Sequence, residues 1–381
     1  MAIDLALNEH QLQIQDAARQ FFRARCPSEV VRQVEERDVG YLPDLWREMA
    51  DLGWLGITFP EADGGFGGSF LDLFPIYEEM GRFLVPSPHL DTVAIAGDVL
   101  HRVGSDAQRQ RLLPAIAGGR CLISLAALEP SGEFGPQGID MRVTEGDGSY
   151  VLDGTKLLVG FAPSADHFLC AARTAPAGEG AAPDGVTLFM VDAAAPGLTS
   201  TPLRNIAGGA LFAVAFDHVT VPADDVVGQV GRGWAALSPS VSKAAVLQTA
   251  SIVGAARAVL DMTNQYAKDR VQFGQPIGSY QAVQYMVTDV LIDLHRADLL
   301  ARQAAYRIDA GKPFGREAAM AAAFGKRAAA HLHRQAHEVH AGVAFMLEHD
   351  LTLFSRRSKF WENNLGDARY HEALLAAELG L

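Results

Sequence analysis

The region that follows Gly231-Arg232-Gly233 constrains the fold more than any other part of the chain. It contains many alanines and few glycines or prolines, and its apolar residues recur at helical spacing. We predict helices over about 235–269, 278–310, 315–342 and 350–364, followed by a last helix from about 367. Long helices joined by short connections bury their apolar faces best as a bundle of antiparallel helices.

Two regions with different sequence patterns precede this bundle. Residues 1–120 predict a helical domain, whose helices include one entered at Asn8 and others over 45–52, 70–83, 90–103 and 107–116. Residues 121–230 predict a small β-barrel or sandwich, because short apolar runs there are bounded by Gly, Pro and Asp. Asp153-Gly154, placed between two of these runs, predicts a hairpin turn. The predicted fold class is therefore α+β, with residues 231–381 forming the C-terminal helical bundle.

The composition excludes several classes of function. The chain has 32 Lys and Arg against 45 Asp and Glu, and its formal net charge of −13 argues against a nucleic-acid binder. Three widely spaced cysteines indicate a reducing compartment rather than a disulfide scaffold. The N-terminus does not have the pattern of a signal peptide, and no run of 18 uncharged apolar residues indicates a membrane span. We expect a cytoplasmic protein with no nucleic-acid or membrane partner.

Motifs distributed along the whole chain resemble those of the acyl-CoA dehydrogenase family. The most specific is Arg270-x-x-Phe273-Gly274-x-Pro276-Ile277-x-x-x-Gln281. Leu128-Glu129-Pro130 is similar to the Thr-Glu-Pro motif that opens the family's β domain. The other matching segments are Leu52-Gly53-Trp54 with Pro60-Glu61-x-x-Gly64-Gly65, Gly104 to Gly118, Asp153-Gly154-Thr155-Lys156 with Ala165-Asp166, and His340 to Phe345 with Glu348 to Leu351.

The resemblance implies the family's three-domain fold and FAD-dependent α,β-desaturation of an acyl-CoA thioester. In that chemistry a carboxylate removes the Cα proton while the Cβ hydrogen leaves as hydride to the flavin, and hydrogen bonds to the thioester oxygen stabilise the developing enolate. The expected partners are an acyl-CoA substrate, an electron-transfer flavoprotein or similar acceptor, and other subunits of an oligomer. Arg270, Phe273 and Gln281 would contact an FAD held mainly by a neighbouring subunit, and Glu338 and Gly342 would lie near the same cofactor.

Several positions depart from the family pattern. Leu128 stands in place of the threonine that contacts the flavin ring. Leu158 and Gly160 stand in place of a tryptophan and a hydroxyl residue that pack on the flavin and hydrogen-bond to it. Glu338 replaces a glutamine, and Ala341 and Ala344 replace two glycines. The replaced residues are mostly those that hold the flavin in the same chain.

The catalytic glutamate of the family has no counterpart at either of its usual positions. Alignment with the motifs places Leu365 at the site near the C-terminus and Ala244 at the alternative site in the first bundle helix. Residues 241–260 contain no carboxylate. Asp367 is the nearest acid to the first site, but its position before the last helix favours a helix N-cap over a catalytic base.

Three functions remain open at this point. The chain could be an FAD-linked acyl-CoA dehydrogenase or one subunit of such an enzyme, a non-catalytic partner that completes a neighbour's FAD site, or a flavin monooxygenase or oxidase of the same fold. The histidines at 331, 333, 337 and 340 do not form an HExxH motif, so we predict no metal site. Arg356 and Arg357 favour a solvated helix face, with contact to a CoA phosphate as the alternative.

Overall fold

The computed structural model describes residues 5–37, 39–175 and 184–381. Its first part is helical, with one helix entered at Asn8 as predicted, and Asn8 and Ser105 each form a reciprocal capping box with the residue three positions later. Residues 90–103, predicted as one helix, consist of a π-helical segment, Leu90–Gly97, followed by a short α-helix. The six α-helices described here are α1 Glu9–Arg25, α2 Ser28–Glu35, α3 Pro43–Asp51, α4 Phe70–Arg82, α5 Asp98–Val103 and α6 Asp106–Ala117.

The middle part is an eight-stranded sheet ordered β6-β7-β3-β2-β4-β5-β8, with β1 paired in parallel to β4. The strands are β1 Ile123–Ala126, β2 Arg142–Gly146, β3 Ser149–Gly160, β4 His167–Arg173, β5 Val186–Asp192, β6 Leu198–Pro202, β7 Leu211–Pro222 and β8 Val226–Val227. A single residue pair, Arg142 with Arg173, joins β2 to β4. Side chains from β3, β4, β5 and β7 share one core, so the two halves of the sheet pack against each other.

The predicted hairpin at Asp153-Gly154 is wrong. These residues lie inside the single strand β3, where the pairing with β7 is irregular between Leu152 and Gly154. Gly154 adopts φ +152°, which a bulged strand accommodates through glycine. The hairpin turn lies earlier, at Asp147-Gly148, because Gly146 of β2 pairs with Ser149 of β3. Both Asp-Gly pairs suit a turn, and tertiary pairing selects between them.

The last part is the predicted helical bundle. Its helices are α7 Gly233–Asp269, α8 Gln281–Asp309, α9 Gly315–His340, α10 Asp350–Asn363 and α11 Ala368–Glu378, and a small hairpin, β9 Val271–Gln272 with β10 Gln275–Pro276, connects α7 to α8. Helix α7 is long and apolar enough to cross a membrane, but 78% of its most apolar window is buried within the protein. It packs against α4, α8 and α9 and lies at the centre of the molecule. The predicted α+β order of helical, β and helical parts is confirmed.

Candidate active-site cleft

A cleft of about 640 Å³ lies where the three parts of the molecule meet. Its walls come from the end of α4 and the π-helical segment, from β1 and β3, from the middle of α7, and from the connection between α10 and α11. The lining is mainly apolar, with Met80, Leu90, Leu125, Leu211 and Trp361 among its side chains. Its size and apolar walls suit a small-molecule ligand.

The connection between α10 and α11 places Leu365 in the cleft wall. Leu365 has φ +59° and is only 4% exposed, and the next residue, Gly366, has φ +90°. A Cβ on Gly366 would lie 2.3 Å from the Tyr370 ring, so the turn requires glycine there. The Lys326 ammonium fixes the turn from beneath by donating to the carbonyl oxygens of Trp361 at 2.6 Å and Asn364 at 2.8 Å. A rigid turn therefore presents an aliphatic side chain where the resemblance places a glutamate.

The two other positions named for the base are Ala244, which has no carboxylate, and Asp367, whose carboxylate caps a helix. Ala244 is fully buried in the core around α7 and does not line the cleft. Asp367 is exposed at the edge of the cleft, and its Oδ1 accepts a hydrogen bond from the Tyr370 backbone N–H at 2.8 Å. This bond caps the first turn of α11 and confirms the predicted N-cap.

On its buried side, strand β3 carries the Lys156 that matches the family motif, whereas its cleft side carries residues that depart from the family pattern. The Lys156 Nζ is fully buried and donates to Glu129 Oε1 at 2.6 Å and to the Ala171 carbonyl, and Glu129 also accepts from the backbone N–H groups of Asp140 and Met141. Residues 128, 158 and 160, which line the cleft, are Leu, Leu and Gly. They offer no side-chain hydrogen bond to a bound ring.

The five predicted cofactor-binding residues lie together, but outside the cleft. All of them are exposed, and none lines the cleft wall: Arg270, Phe273, Gln281, Glu338 and Gly342. The first three share one unit, since the Ile277 N–H donates to the Arg270 carbonyl and the Phe273 and Tyr280 rings contact edge to face. The His340 ring stacks on Tyr266, which brings the end of α9 to the end of α7. We call this surface, formed by residues 270–281 and 338–342, the outer end of the bundle.

Three histidines of α9 hydrogen-bond to other protein groups, whereas the ring nitrogens of the fourth, His340, have no hydrogen-bond partner among the described residues. The His331 Nδ1 bonds Asp293 at 2.8 Å, and the His337 Nε2 bonds the Ser355 Oγ at 2.7 Å. Burial lowers the pKa of His333 to about 3 and that of His340 to about 4. In residues 5–37, 39–175 and 184–381, the one group with metal-like spacing is Asp153, Asp217 and His218, whose side chains are all exposed.

The basic pair on α10 is not a freely solvated face. The Arg356 guanidinium donates to Glu35 Oε2 at 2.6 Å, and Arg357 lies 3.6 Å from the other oxygen of the same carboxylate. Glu35 and Arg357 both line the cleft, so this ion pair joins α2 to α10 at its wall. Burial lowers the pKa of Arg357, although the nearby Glu35 carboxylate opposes that shift.

Asp91 is among the acids of the cleft wall that sequence reasoning missed. Asp91 lies in the π-helical segment, and its carboxylate accepts a hydrogen bond from the Leu125 backbone. Burial raises the pKa of Asp91 to about 7. The sequence signal was weak, because a lone Asp in an apolar helical run carries no motif. Its position gains meaning only from the π-helical geometry, which is frequent at functional sites.

The residues at the outer end suit a flavin cofactor better than the residues of the cleft wall do. At the outer end, an exposed arginine beside Phe273 suits a phosphate and an aromatic base, since the guanidinium fork binds phosphate oxygens in pairs. In the cleft, a Cβ built on Gly160 would meet only the Asp91 Oδ2 within 4 Å, at 3.3 Å. A carboxylate therefore faces the position where the resemblance places a flavin-bonding hydroxyl. The outer end fits the cofactor, and the inner wall of the cleft does not.

Comparison with known proteins agrees with the sequence motifs. Three family models match in order: the acyl-CoA dehydrogenase N-terminal domain over residues 8–120, the middle domain over 124–219 and the C-terminal domain over 231–379. The chain is 32% identical to the acyl-CoA dehydrogenase FadE27 of Mycobacterium tuberculosis, over 91% of this chain and 90% of that protein. It is 27% identical to the acryloyl-CoA reductase (NADH) of Anaerotignum propionicum, over 99% and 96% of the two chains. A chain of the ChsE4-ChsE5 complex from Mycobacterium tuberculosis superimposes with a TM-score of 0.89 at 28% identity, with 99% of each chain covered.

Proposed function

This chain belongs to the acyl-CoA dehydrogenase family, and we propose that it is one subunit of a heteromeric, FAD-dependent acyl-CoA dehydrogenase. It would supply Arg270, Phe273 and Gln281 to an FAD whose flavin ring lies in the cleft of a neighbouring, glutamate-bearing subunit. The observation that carries this proposal is the difference between the outer end of the bundle and the cleft. The outer end retains the cofactor-directed residues, whereas the chain's own cleft has Leu365 at the position of the base and no hydroxyl at residue 160.

The outer end has the character of a subunit contact. Phe273 is 95% exposed, and the nearby exposed apolar residues include Val271, Phe345 and Leu347. Exposed apolar groups of this size, grouped on one surface, mark interaction sites in water-soluble proteins. The hairpin that carries Phe273 is held in shape by the Tyr280 hydroxyl, which donates to the Gln272 carbonyl at 3.1 Å. The chain therefore presents a preformed surface to a neighbour.

In the proposed complex, this chain contributes to cofactor binding, and the neighbouring subunit removes the Cα proton. Bound FAD supplies the capacity to accept a hydride. In this chain Arg270 would bind the cofactor's phosphate, and Gln281 would offer an amide at the beginning of α8. Leu365 cannot accept the Cα proton, so the neighbouring subunit must hold the group that does. General-base contributions are about 10²–10⁴-fold, which makes this absence decisive for the rate.

Two further parts of the proposal concern the surroundings of the complex. We place an electron-transfer flavoprotein or similar acceptor as its reoxidant, as the family resemblance implies. We place the protein in the cytoplasm. Cys26, Cys121 and Cys170 are buried free thiols, which is compatible with a reducing compartment. Among the relatives, the ChsE4-ChsE5 complex contains two differently named chains, which supports a hetero-oligomer here.

The test compares the protein purified alone with the protein co-purified with the products of neighbouring genes. Flavin absorbance gives the cofactor content, and anaerobic bleaching by saturated acyl-CoAs gives the rate of reduction. We expect the isolated chain to hold little flavin and to bleach slowly, and the complex to hold about one flavin per pair of chains. Stoichiometric flavin and rapid bleaching in the isolated chain would contradict the proposal.

A further inference from the structure

Asp91 is the acid of the cleft wall that is neither ion-paired, nor exposed, nor engaged in capping a helix. Among the described residues, the acids that line the cleft are Glu35, Asp91, Glu133 and Asp367. Glu35 pairs with two arginines, Glu133 is exposed on a loop, and Asp367 caps a helix. Asp91 forms no ion pair with any residue in 5–37, 39–175 or 184–381.

Asp91 is half-buried among apolar residues of the cleft wall. Leu90 and Leu125 lie beside it in the cleft wall, and its carboxylate accepts a hydrogen bond from the Leu125 backbone. Burial and the nearby Asp91 charge raise the pKa of Tyr77, which is fully buried on α4. The Tyr77 hydroxyl already bonds the His89 Nδ1 at 2.8 Å and is not available to Asp91. A carboxyl that accepts one hydrogen bond from the protein and lines the cleft keeps oxygen lone pairs free for a ligand.

Strand β3 leaves space directly in front of this carboxyl. The Asp91 Oδ2 is the one heavy atom within 4 Å of a Cβ built on Gly160. Glycine at 160 therefore keeps the oxygen accessible from the cleft, where a larger side chain would cover it. Gln248 also lines the cleft, and its Nε2 has no hydrogen-bond partner among the described residues, while its Oε1 accepts from Lys326 at 3.1 Å. Unsatisfied polar atoms in an apolar cleft indicate a ligand with a few matching polar groups.

We propose that the cleft of this chain binds acyl-CoA thioesters whose acyl part carries a hydroxyl group, and that Asp91 accepts a hydrogen bond from that hydroxyl. The identification of the ligand as an acyl-CoA rests on the proposed function, whereas the preference for a hydroxyl rests on Asp91. The carbonyl oxygen of a protonated carboxyl and both oxygens of a carboxylate accept hydrogen bonds. The preference for a hydroxyl therefore holds on both sides of neutral pH.

The experiment is equilibrium binding by calorimetry to the co-purified complex, with pairs of acyl-CoAs that differ by one hydroxyl. We expect the wild-type chain to bind at least one hydroxylated member about ten-fold more tightly than its unsubstituted partner, a typical effect of a hydrogen bond to a charged group. Asp91→Leu should remove that preference. Asp91→Asn, which keeps the shape and an acceptor oxygen, should retain part of it.

Glu133→Gln is the matched control, because it removes an exposed acid from the same cleft and should leave the preference unchanged. Equal affinities for both members of every pair in the wild type would overturn the role of Asp91. Tighter binding of keto analogues at pH 6 than at pH 8 would also overturn it, because it would identify a protonated Asp91 as a donor. Failure of all acyl-CoAs to bind the complex would instead count against the proposed function.

Discussion

The cleft and the outer end of the bundle differ in what their side chains offer to a bound group. At the outer end Arg270, Phe273 and Gln281 are exposed and suit a cofactor that a second chain also holds. In the cleft Leu365 and Gly160 occupy positions where the family resemblance implies a base and a hydroxyl. In a hetero-oligomer a chain needs only the residues that it contributes to an active site. The contrast teaches that a member of an enzyme family can retain one half of a shared site and lose the other.

The largest effect that we predict is on stability, from breaking the buried pair beneath the cleft. Lys156→Met leaves the Glu129 carboxylate buried without its cation, and loss of one partner of a buried pair costs about 3–5 kcal/mol. Denaturant unfolding measures this change. Leu158→Asn on the same strand is the control, because residue 158 is 48% exposed with φ +54° and asparagine tolerates that conformation. Similar losses in the two variants would show that the cleft face of β3 is as constrained as its interior.

The next prediction addresses the outer end directly. Arg270→Ala should weaken retention of FAD by the complex by about 1.5–3 kcal/mol, because a charge-assisted hydrogen bond to phosphate is lost. Flavin content after dialysis measures it. Asp367→Ala, at the edge of this chain's own cleft, should leave flavin content unchanged. Equal flavin loss in both variants would remove the distinction between the two regions.

A smaller effect is expected on the last helix. Asp367→Ala removes the side-chain acceptor for the Tyr370 N–H and should destabilise the protein by about 0.5–2 kcal/mol. Thermal unfolding of the purified variant measures the loss. Asp367→Asn retains the cap and should recover most of the stability. If Asp367→Ala instead slowed flavin bleaching without changing stability, Asp367 would be the base that the cleft otherwise lacks.

The last prediction concerns the response of the fold to acid at His89, which is fully buried and precedes two residues of the cleft wall, Leu90 and Asp91. Burial lowers the pKa of His89 to about 4, so the unfolded chain binds a proton below about pH 6.5 that the folded chain does not. The stability that His89 contributes is therefore complete above pH 6.5 and declines as the pH falls towards 4. His89→Gln should flatten this part of the curve of unfolding free energy against pH. Parallel curves for the two proteins would place the acid response elsewhere, for example at the outer end.

Much of the fold could be predicted from the sequence because the deciding interactions are local. Capping boxes at Asn8 and Ser105 are formed by residues three positions apart, and the five bundle helices follow from apolar periodicity. The hairpin failed because Asp147-Gly148 and Asp153-Gly154 are locally equivalent. Only the pairing of β3 with both β2 and β7 distinguishes them.

The candidate site shows the same division between local and tertiary information. The sequence by itself determined that residues 365 and 244 are not carboxylates, that Asp367 suits an N-cap, and that the motif from Arg270 to Gln281 is intact. Only the tertiary structure decided that this motif faces outward and that Asp91 lies next to Gly160 in the cleft wall. The physical reason is that helix caps and periodicity depend on residues within a few positions. The cleft, in contrast, brings together α4, β3 and the α10–α11 connection through packing of apolar cores that are distant in sequence.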